Sequence, residues 1–182
     1  MENEEQENIS QHAIKWGAIL GLIAIIIMLT IYLIDITLIA KQATVIGIVT
    51  FVVYLFILIY SGRDYRSKLG GYMSFGKAFT HAFVVLAIAS FIVAVFNYLL
   101  YNVIDPEIVP ILVEAQMTNI MQTMEALGGG TSDIMDETAK GIKDSYTLAG
   151  QAKGFLFSLI GAVIGALIIG AINKKKNKEE EF

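Results

Sequence analysis

The sequence predicts an all-α fold: a four-helix transmembrane bundle with an extracytoplasmic amphipathic helical hairpin between the third and fourth spans. Three observations predict it. Four apolar runs free of acidic and strongly basic residues, Trp16–Ile34, Ala43–Tyr60, Ala78–Val103 and Gly154–Ile172, stand out. Each is about long enough to cross roughly 30 Å of hydrocarbon at about 1.5 Å per helical residue. The chain is 55% hydrophobic and 16% charged, too apolar for a soluble helical domain, whose helices keep a charged stripe. The cations also fall unevenly between the runs. Lys15, Arg63, Arg66, Lys68, Lys77, Lys174, Lys175, Lys176 and Lys178 lie on the side shared by both termini; only Lys41, Lys140, Lys143 and Lys153 lie on the other. That asymmetry places both termini and the 61–77 loop in the cytoplasm, because cytoplasmic loops carry the excess of Lys and Arg.

Each element follows in order. Residues 1–15 form an acidic cytoplasmic segment with Glu2, Glu4, Glu5 and Glu7. Its acidity, and the length of the run after it, argue against a cleaved signal. The first three spans occupy 16–103, as 16–34, 43–60 and 78–103. Trp16 opens the first at interface depth, and Asp35 closes it. The short 35–42 connection makes the first two spans an antiparallel hairpin. The segment "YSGRDYRSKLGGYMSFGKAF" reads as a cytoplasmic interfacial hinge. Gly70 and Gly71 allow a sharp turn, and Ser74 is the expected N-cap of the third span. Phe75, Phe79 and Phe83 then stack along one face at four-residue spacing.

Residues 104–153 carry a different pattern. Asp105-Pro106-Glu107 is a helix start, with Asp as cap and Pro at the first helical position; Pro110 resets that start by a turn if the ladder needs its missing N–H. Val113, Met117, Ile120, Met121, Met124 and Leu127 mark one face. Gly128–Gly130 ends that helix, and a second begins near Ser132 with Asp133, Asp136 and Glu137 in its first turn. Its face of Met135, Ala139, Ile142, Tyr146 and Ala149 runs on toward the fourth span, 154–172. The charged tail, 173–182, acts as a stop-transfer anchor in which lysines meet anionic headgroups.

The strongest signal inside the spans is small-residue spacing. Gly154, Ser158, Ala162, Ala166 and Gly170 recur every four residues, with Gly161 and Gly165 beside them, and Gly17 and Gly21 form GxxxG in the first span. Such rows let backbones approach closely in lipid. The first and fourth spans are therefore expected to pack on each other or to form a self-association face. His81, Asn97 and Tyr101 make a candidate polar cavity on the third span. The only possible histidine partner of His81 is His12, and no acidic residue falls inside a run. His81 is read as hydrogen-bonded within the bundle, with proton relay or metal binding as the alternative.

Met117, Met121 and Met124 resemble a thioether copper(I) site but read as packing. The chain has no cysteine, which removes disulfides and thiolate chemistry. Gly128–Gly130 lacks the Lys-Ser/Thr context of a phosphate loop, and the cations lack the aromatic platform of a nucleic-acid binder. No metal, cofactor or nucleic acid is expected. The expected partners are the lipid bilayer and a second copy or another membrane protein.

The "GGYMSFGKAFTHAF" start of the third span, the "NVIDPE" exit, and the helical loop returning to a glycine-rich last span together resemble small bacterial four-span membrane proteins catalogued as domain of unknown function 4199. The resemblance covers residues 12–175. It implies a four-helix membrane fold and an inner-membrane location, supplies no catalytic residues, and makes Gly71, Ser74 and Phe75 family-typical positions. The function expected is non-enzymatic: interaction through helix packing, as a scaffold or accessory subunit. The alternative is a small oligomeric transporter or channel with polar residues of the third span lining the path.

Overall fold

The computed structural model of the protein describes residues 8–126 and 132–176, and over these it is helical throughout. In order come α1 (Ile9–Asp35), α2 (Leu38–Lys41), α3 (Ala43–Lys68), α4 (Phe75–Leu99) running into a π-helical turn (Leu100–Ile104), α5 (Ile108–Ala126), α6 (Ser132–Ser145) and α7 (Leu148–Asn173). Four helices are long and apolar enough to cross a membrane: Ile9–Asp35, Ala43–Lys68, Phe75–Ile104 and Leu148–Asn173. Their outward residues fit that solvent. Leu33, Phe56 and Phe157 are each at least 70% exposed, which water would penalise and lipid does not.

The helices outrun the apolar runs at several ends. α3 continues from Tyr60 through Ser61–Lys68 rather than opening into a hinge, because "SGRDYRSK" has no residue that must leave helical geometry. The turn comes later. Gly70 and Gly71 take φ of 78° and 90°, the left-handed region that a Cβ disfavours. Ser74 then caps α4 as expected: its Oγ accepts from Lys77 N–H at 3.4 Å and its carbonyl from Ala78 N–H at 3.0 Å. Phe75, Phe79 and Phe83 stack in series, with centroids 6.4 and 6.1 Å apart.

The chain divides into two compact units. The first comprises residues 1–23, 50–92 and 157–182. Its core is Ala13, Leu20, Leu58, Ala82, Val85, Ala89, Ala166 and Ile169 with Ile57, small residues alternating with branched ones so that helices approach closely. A second, smaller cluster of Tyr65, Met73 and Ala78 sits under the Gly70-Gly71 turn. There Met73 and Lys175 exchange two backbone hydrogen bonds of 2.9 Å, a single antiparallel bridge that fastens the end of α7 to the loop before α4.

The second unit comprises residues 24–49 and 93–156. It is built on Ile36, Leu100, Tyr101, Ile108, Leu112 and Tyr146, with α5 packed on both α2 and α6. Asp105 does not cap α5 with its side chain. Its carboxylate instead accepts the Tyr32 hydroxyl at 2.8 Å, and its backbone N–H closes the π turn onto Leu100 O. Pro110 falls in the first turn of α5, where its missing N–H has no ladder partner to lose. The buried face of α5 is led by Ile108 and Leu112, and Met121, expected on it, is exposed. Leu127 and Gly128–Gly130 lie outside the described residues, as do the N-terminal glutamates, the Asp133 side chain and Lys178.

The second hairpin helix does not run into the last span. α6 stops at Ser145, and Thr147 caps α7: its Oγ1 accepts Gly150 N–H at 3.1 Å and its carbonyl accepts Gln151 N–H at 2.8 Å. Gly150 is required here, since a Cβ would lie 2.2 Å from Asp144 O.

Candidate functional site

The first unit holds a buried chain of titratable side chains, one from each of three helices. His12 comes from α1, Asp64 from the last turns of α3, and His81 from the second turn of α4. His12 Nδ1 lies 2.8 Å from His81 Nε2, and His12 Nε2 lies 2.8 Å from Asp64 Oδ2. His12 has no exposed surface and His81 has 1%, while the Asp64 side chain is 36% exposed. The chain thus runs from a solvent-reached carboxylate to a dry imidazole. Tyr65 lies parallel to His81 at 5.3 Å, 10° between planes, and 4.9 Å from His12. Trp16 closes the other side, 6.3 Å from His12 and edge-on to Tyr60 at 5.4 Å, and also hydrogen-bonds Asp64.

The hydrogen-bonding roles follow from the chemistry. An ionised carboxylate only accepts, so His12 Nε2 carries a proton toward Asp64. When both imidazoles are neutral, His12 Nδ1 is then an acceptor and His81 Nε2–H donates to it. Both nitrogens of His12 are therefore engaged within the protein. Among the described residues no group of three potential ligands converges on a metal-sized site.

A second polar tie lies at the end of α7. Asn173, 1% exposed, donates from Nδ2 to Leu58 O at 3.2 Å. Its carbonyl accepts Arg66 Nη1–H at 3.0 Å, which satisfies one of the orphan groups of a helix C-terminus. Gly62 makes this possible, because a Cβ there would lie 2.0 Å from Asn173 Nδ2. Lys175 stands over the Tyr72 ring at 5.5 Å.

Of the residues singled out in the sequence, His81 meets His12 as its only histidine partner. His81 lies in the first unit, while Asn97 and Tyr101 lie in the second. Tyr101 is buried edge-on to Tyr146, centroids 4.8 Å apart at 85°, and Asn97 is half-buried. Asn102 does the bridging there, donating to Tyr98 O at 3.0 Å and Tyr146 O at 2.8 Å. Gln116 donates to the Tyr146 hydroxyl. Burial pushes the Tyr146 phenol up, and the Gln116 hydrogen bond offsets part of that. Beside this pair opens a cavity of about 580 Å³, floored by Val109, Pro110 and Val113 with Glu114 and Lys143 in its lining.

The glycine rows also pair differently from expectation. Both meet α4 rather than each other. A Cβ on Gly17 would lie 2.7 Å from Ile88 Cβ, and one on Gly21 3.0 Å from Ile92 Cβ. Likewise Gly165 faces Leu86 at 3.3 Å and Gly170 faces the Phe79 backbone at 3.1 Å. Ala162, Ala166 and Gly170 are buried, but Gly154 and Gly161 face open space and Ser158 is half-buried.

Asp64, Arg66, Gly62 and Asn173 were not read as site residues. Asp64 and Arg66 sat in what reads as a loop, because the apolar run ends at Tyr60 while the helix does not. The available signal was that Asp64 and Lys68 are four apart on a stretch without helix breakers.

A family model described as a protein of unknown function (DUF4199) matches residues 15–175. The chain belongs to that family. In this DUF4199 protein the match runs from just before Trp16 to Lys175, taking in most of α1, the other three long helices and the partner of Met73 in the bridge. No curated protein and no solved structure matches the chain.

Proposed function

We propose that this DUF4199 protein acts in a bacterial inner membrane, without catalysis, by associating with a second copy or another membrane protein as a scaffold or accessory subunit. The observation that carries this reading is the free small-residue face of α7. Gly17, Gly21, Gly165 and Gly170 are occupied within the chain, whereas Gly154 and Gly161 meet nothing. Beside Gly161 lies a cleft of about 270 Å³ between α3, α4 and α7, lined by Tyr54, Leu86, Ser158 and Ala162 among others. Close approach of a partner helix to such a face gains packing that lipid cannot match. The proposed absence of catalysis is supported by the closure of the histidine chain, whose central imidazole has no exposed surface.

Gly161→Leu tests the association, because a Cβ at this position meets nothing within 4 Å. Extraction in mild detergent is expected to give an oligomer or complex that Gly161→Leu or Gly154→Leu dissociates while leaving the melting temperature unchanged. A monomer in both wild type and variant would refute it. The cytoplasmic placement of both termini rests on the cation asymmetry, and reporter fusions at each end are expected to agree.

A second reading, a small oligomeric transporter or channel, is favoured by one observation. Buried ionisable groups in a membrane helix bundle often mark ion pathways, and His12, Asp64 and His81 form such a group. Proteoliposomes that carry no proton or solute flux, in wild type and in Asn97→Leu alike, would retire it.

A further inference from the structure

We propose that the His12–His81–Asp64 chain is a proton-binding site with a capacity of one, and that a second proton opens it and releases α1 from α4. The inference goes beyond the associative role above and does not rest on it. It stands on the two 2.8 Å contacts, on the complete burial of His12, and on the rule that a hydrogen bond needs one donor and one acceptor.

The proton count can be followed atom by atom. With Asp64 ionised and both imidazoles neutral, His81 Nε2–H donates to His12 Nδ1, and His12 Nε2–H donates to Asp64. One added proton is accommodated. It binds at the free Nδ1 of His81, and His81 can then pass its Nε2 proton across to His12 Nδ1 without breaking either contact. The imidazolium on His12 then sits against the Asp64 carboxylate, a charge-assisted pair. A second proton makes both rings cationic. His12 Nδ1–H then points at His81 Nε2–H across 2.8 Å, two donors facing each other with no acceptor between them. The ring centroids are 5.0 Å apart, in a site where water cannot screen them.

The neighbouring groups do not relieve this. Asp64 on α3 neutralises one positive charge, and Lys68, on the same helix, is itself a cation and adds no negative charge. Tyr65 presents its ring to both imidazoles. Arg66 is turned to Asn173 O, and Lys15, Arg63 and Lys77 are exposed. Protonation of Asp64 would remove the one compensating charge. The contact that must yield is therefore His12 to His81, between α1 and α4.

Trp16, the single tryptophan of the chain, reports on the site because it lies against His12 and Asp64. The experiment titrates purified full-length protein in neutral detergent or nanodiscs from about pH 8 to about pH 3, reaching below the ordinary imidazole range because burial disfavours a charged ring. It follows Trp16 emission and, in parallel, amide exchange of the first turns of α1. The expected result is a reversible shift in emission, accompanied by an increase in exchange of about tenfold in the Ile9–Gly17 segment. His81→Gln is the decisive variant, because an amide can donate to a neutral His12 or accept from a charged one. It is expected to keep the fold and to cut both amplitudes to about a third or less. A flat wild-type titration overturns the proposal, and so does a full transition retained in His81→Gln. If His81→Gln does not fold, His12→Gln serves, read by exchange in the same way.

Discussion

Gly62→Ala should be destabilising in the native protein and close to neutral once Asn173 has been shortened. The perturbation is one methyl group on α3. In the native protein it would lie 2.0 Å from Asn173 Nδ2 and 2.6 Å from Cγ, so the amide must move. Moving it breaks the bond to Leu58 O, while the bond from Arg66, which goes to the Asn173 backbone carbonyl, stays. A buried hydrogen bond left unmade costs about 1–3 kcal/mol. Against this, alanine is favoured over glycine in a helix by about 0.8–1 kcal/mol. The net cost is about 1–2 kcal/mol, a fall in melting temperature of about 2–8 °C for a chain of this size.

Asn173→Ala alone gives up one hydrogen bond but also removes a buried Oδ1 that has no partner, so it should cost no more than about 1 kcal/mol. In that background the amide contacts are gone and a Cβ–Cβ approach of 3.3 Å remains, which offsets the helix preference, so Gly62→Ala should change stability by less than about 1 kcal/mol. The assay is a double-mutant cycle on thermal unfolding in detergent, followed by Trp16 emission and circular dichroism. The expected coupling is about 1–2 kcal/mol. An unchanged melting temperature in Gly62→Ala, or the same shift in both backgrounds, would show that the Asn173 side chain does not occupy this position.

Three further outcomes follow from the same geometry. Gly17→Val is expected to lower the melting temperature substantially, because its Cβ would fall within 2.9 Å of both Ile88 and Val85 O; Gly47→Val, with nothing within 4 Å, is its control and should change little in the same melt. Gly150→Ala forces apart the backbone at Asp144 and Ser145 and should expose the α6–α7 junction to limited proteolysis, as cleavage near Thr147 would register. Replacing Lys174, Lys175 and Lys176 together by Gln removes the Lys175–Tyr72 cation–π contact and should leave the melt within about 1 kcal/mol, while weakening the proposed cytoplasmic placement of the C-terminus in a reporter-fusion assay.

Much of this architecture is legible from residues alone, for physical reasons. A helix in lipid must satisfy its backbone internally and present apolar atoms outward, so composition and run length point directly to four spans. The Gly70-Gly71 turn and the Ser74 cap are equally readable, since positive φ and an orphan N–H each demand a short list of residues. What is not legible is which way a face points. Gly17 and Gly21 carry the same spacing whether they meet α7 or α4. Only the tertiary arrangement brings Ile88 and Ile92 against them. The boundary at Tyr60 misleads for a related reason. Hydropathy falls where a helix leaves the hydrocarbon, but the hydrogen-bond ladder has no cause to stop there, and Asp64 belongs to those extra turns.

The histidine chain shows what that boundary hides. Read by run, His81 is a lone imidazole near a span end with no acidic neighbour, and a hydrogen bond somewhere in the bundle is all it needs. Two further turns of α3 and the first turn of α1 change the chemistry, because they add a carboxylate and a second imidazole. The same turns carry Gly62, Arg66 and the acceptor carbonyl of Leu58, so one short polar stretch of α3 ties to α1 through His12 and to the end of α7 through Asn173. The charged residues there do more than mark a side of the membrane. Exposed cations such as Arg63 and Lys77 bear on the proposed orientation by charge alone, whereas Asp64 and Arg66 also hold helix ends together by geometry. Charge substitutions at the two kinds of position should therefore separate orientation from stability, and of the inward-facing pair only Asp64 bears on the proton-binding chain.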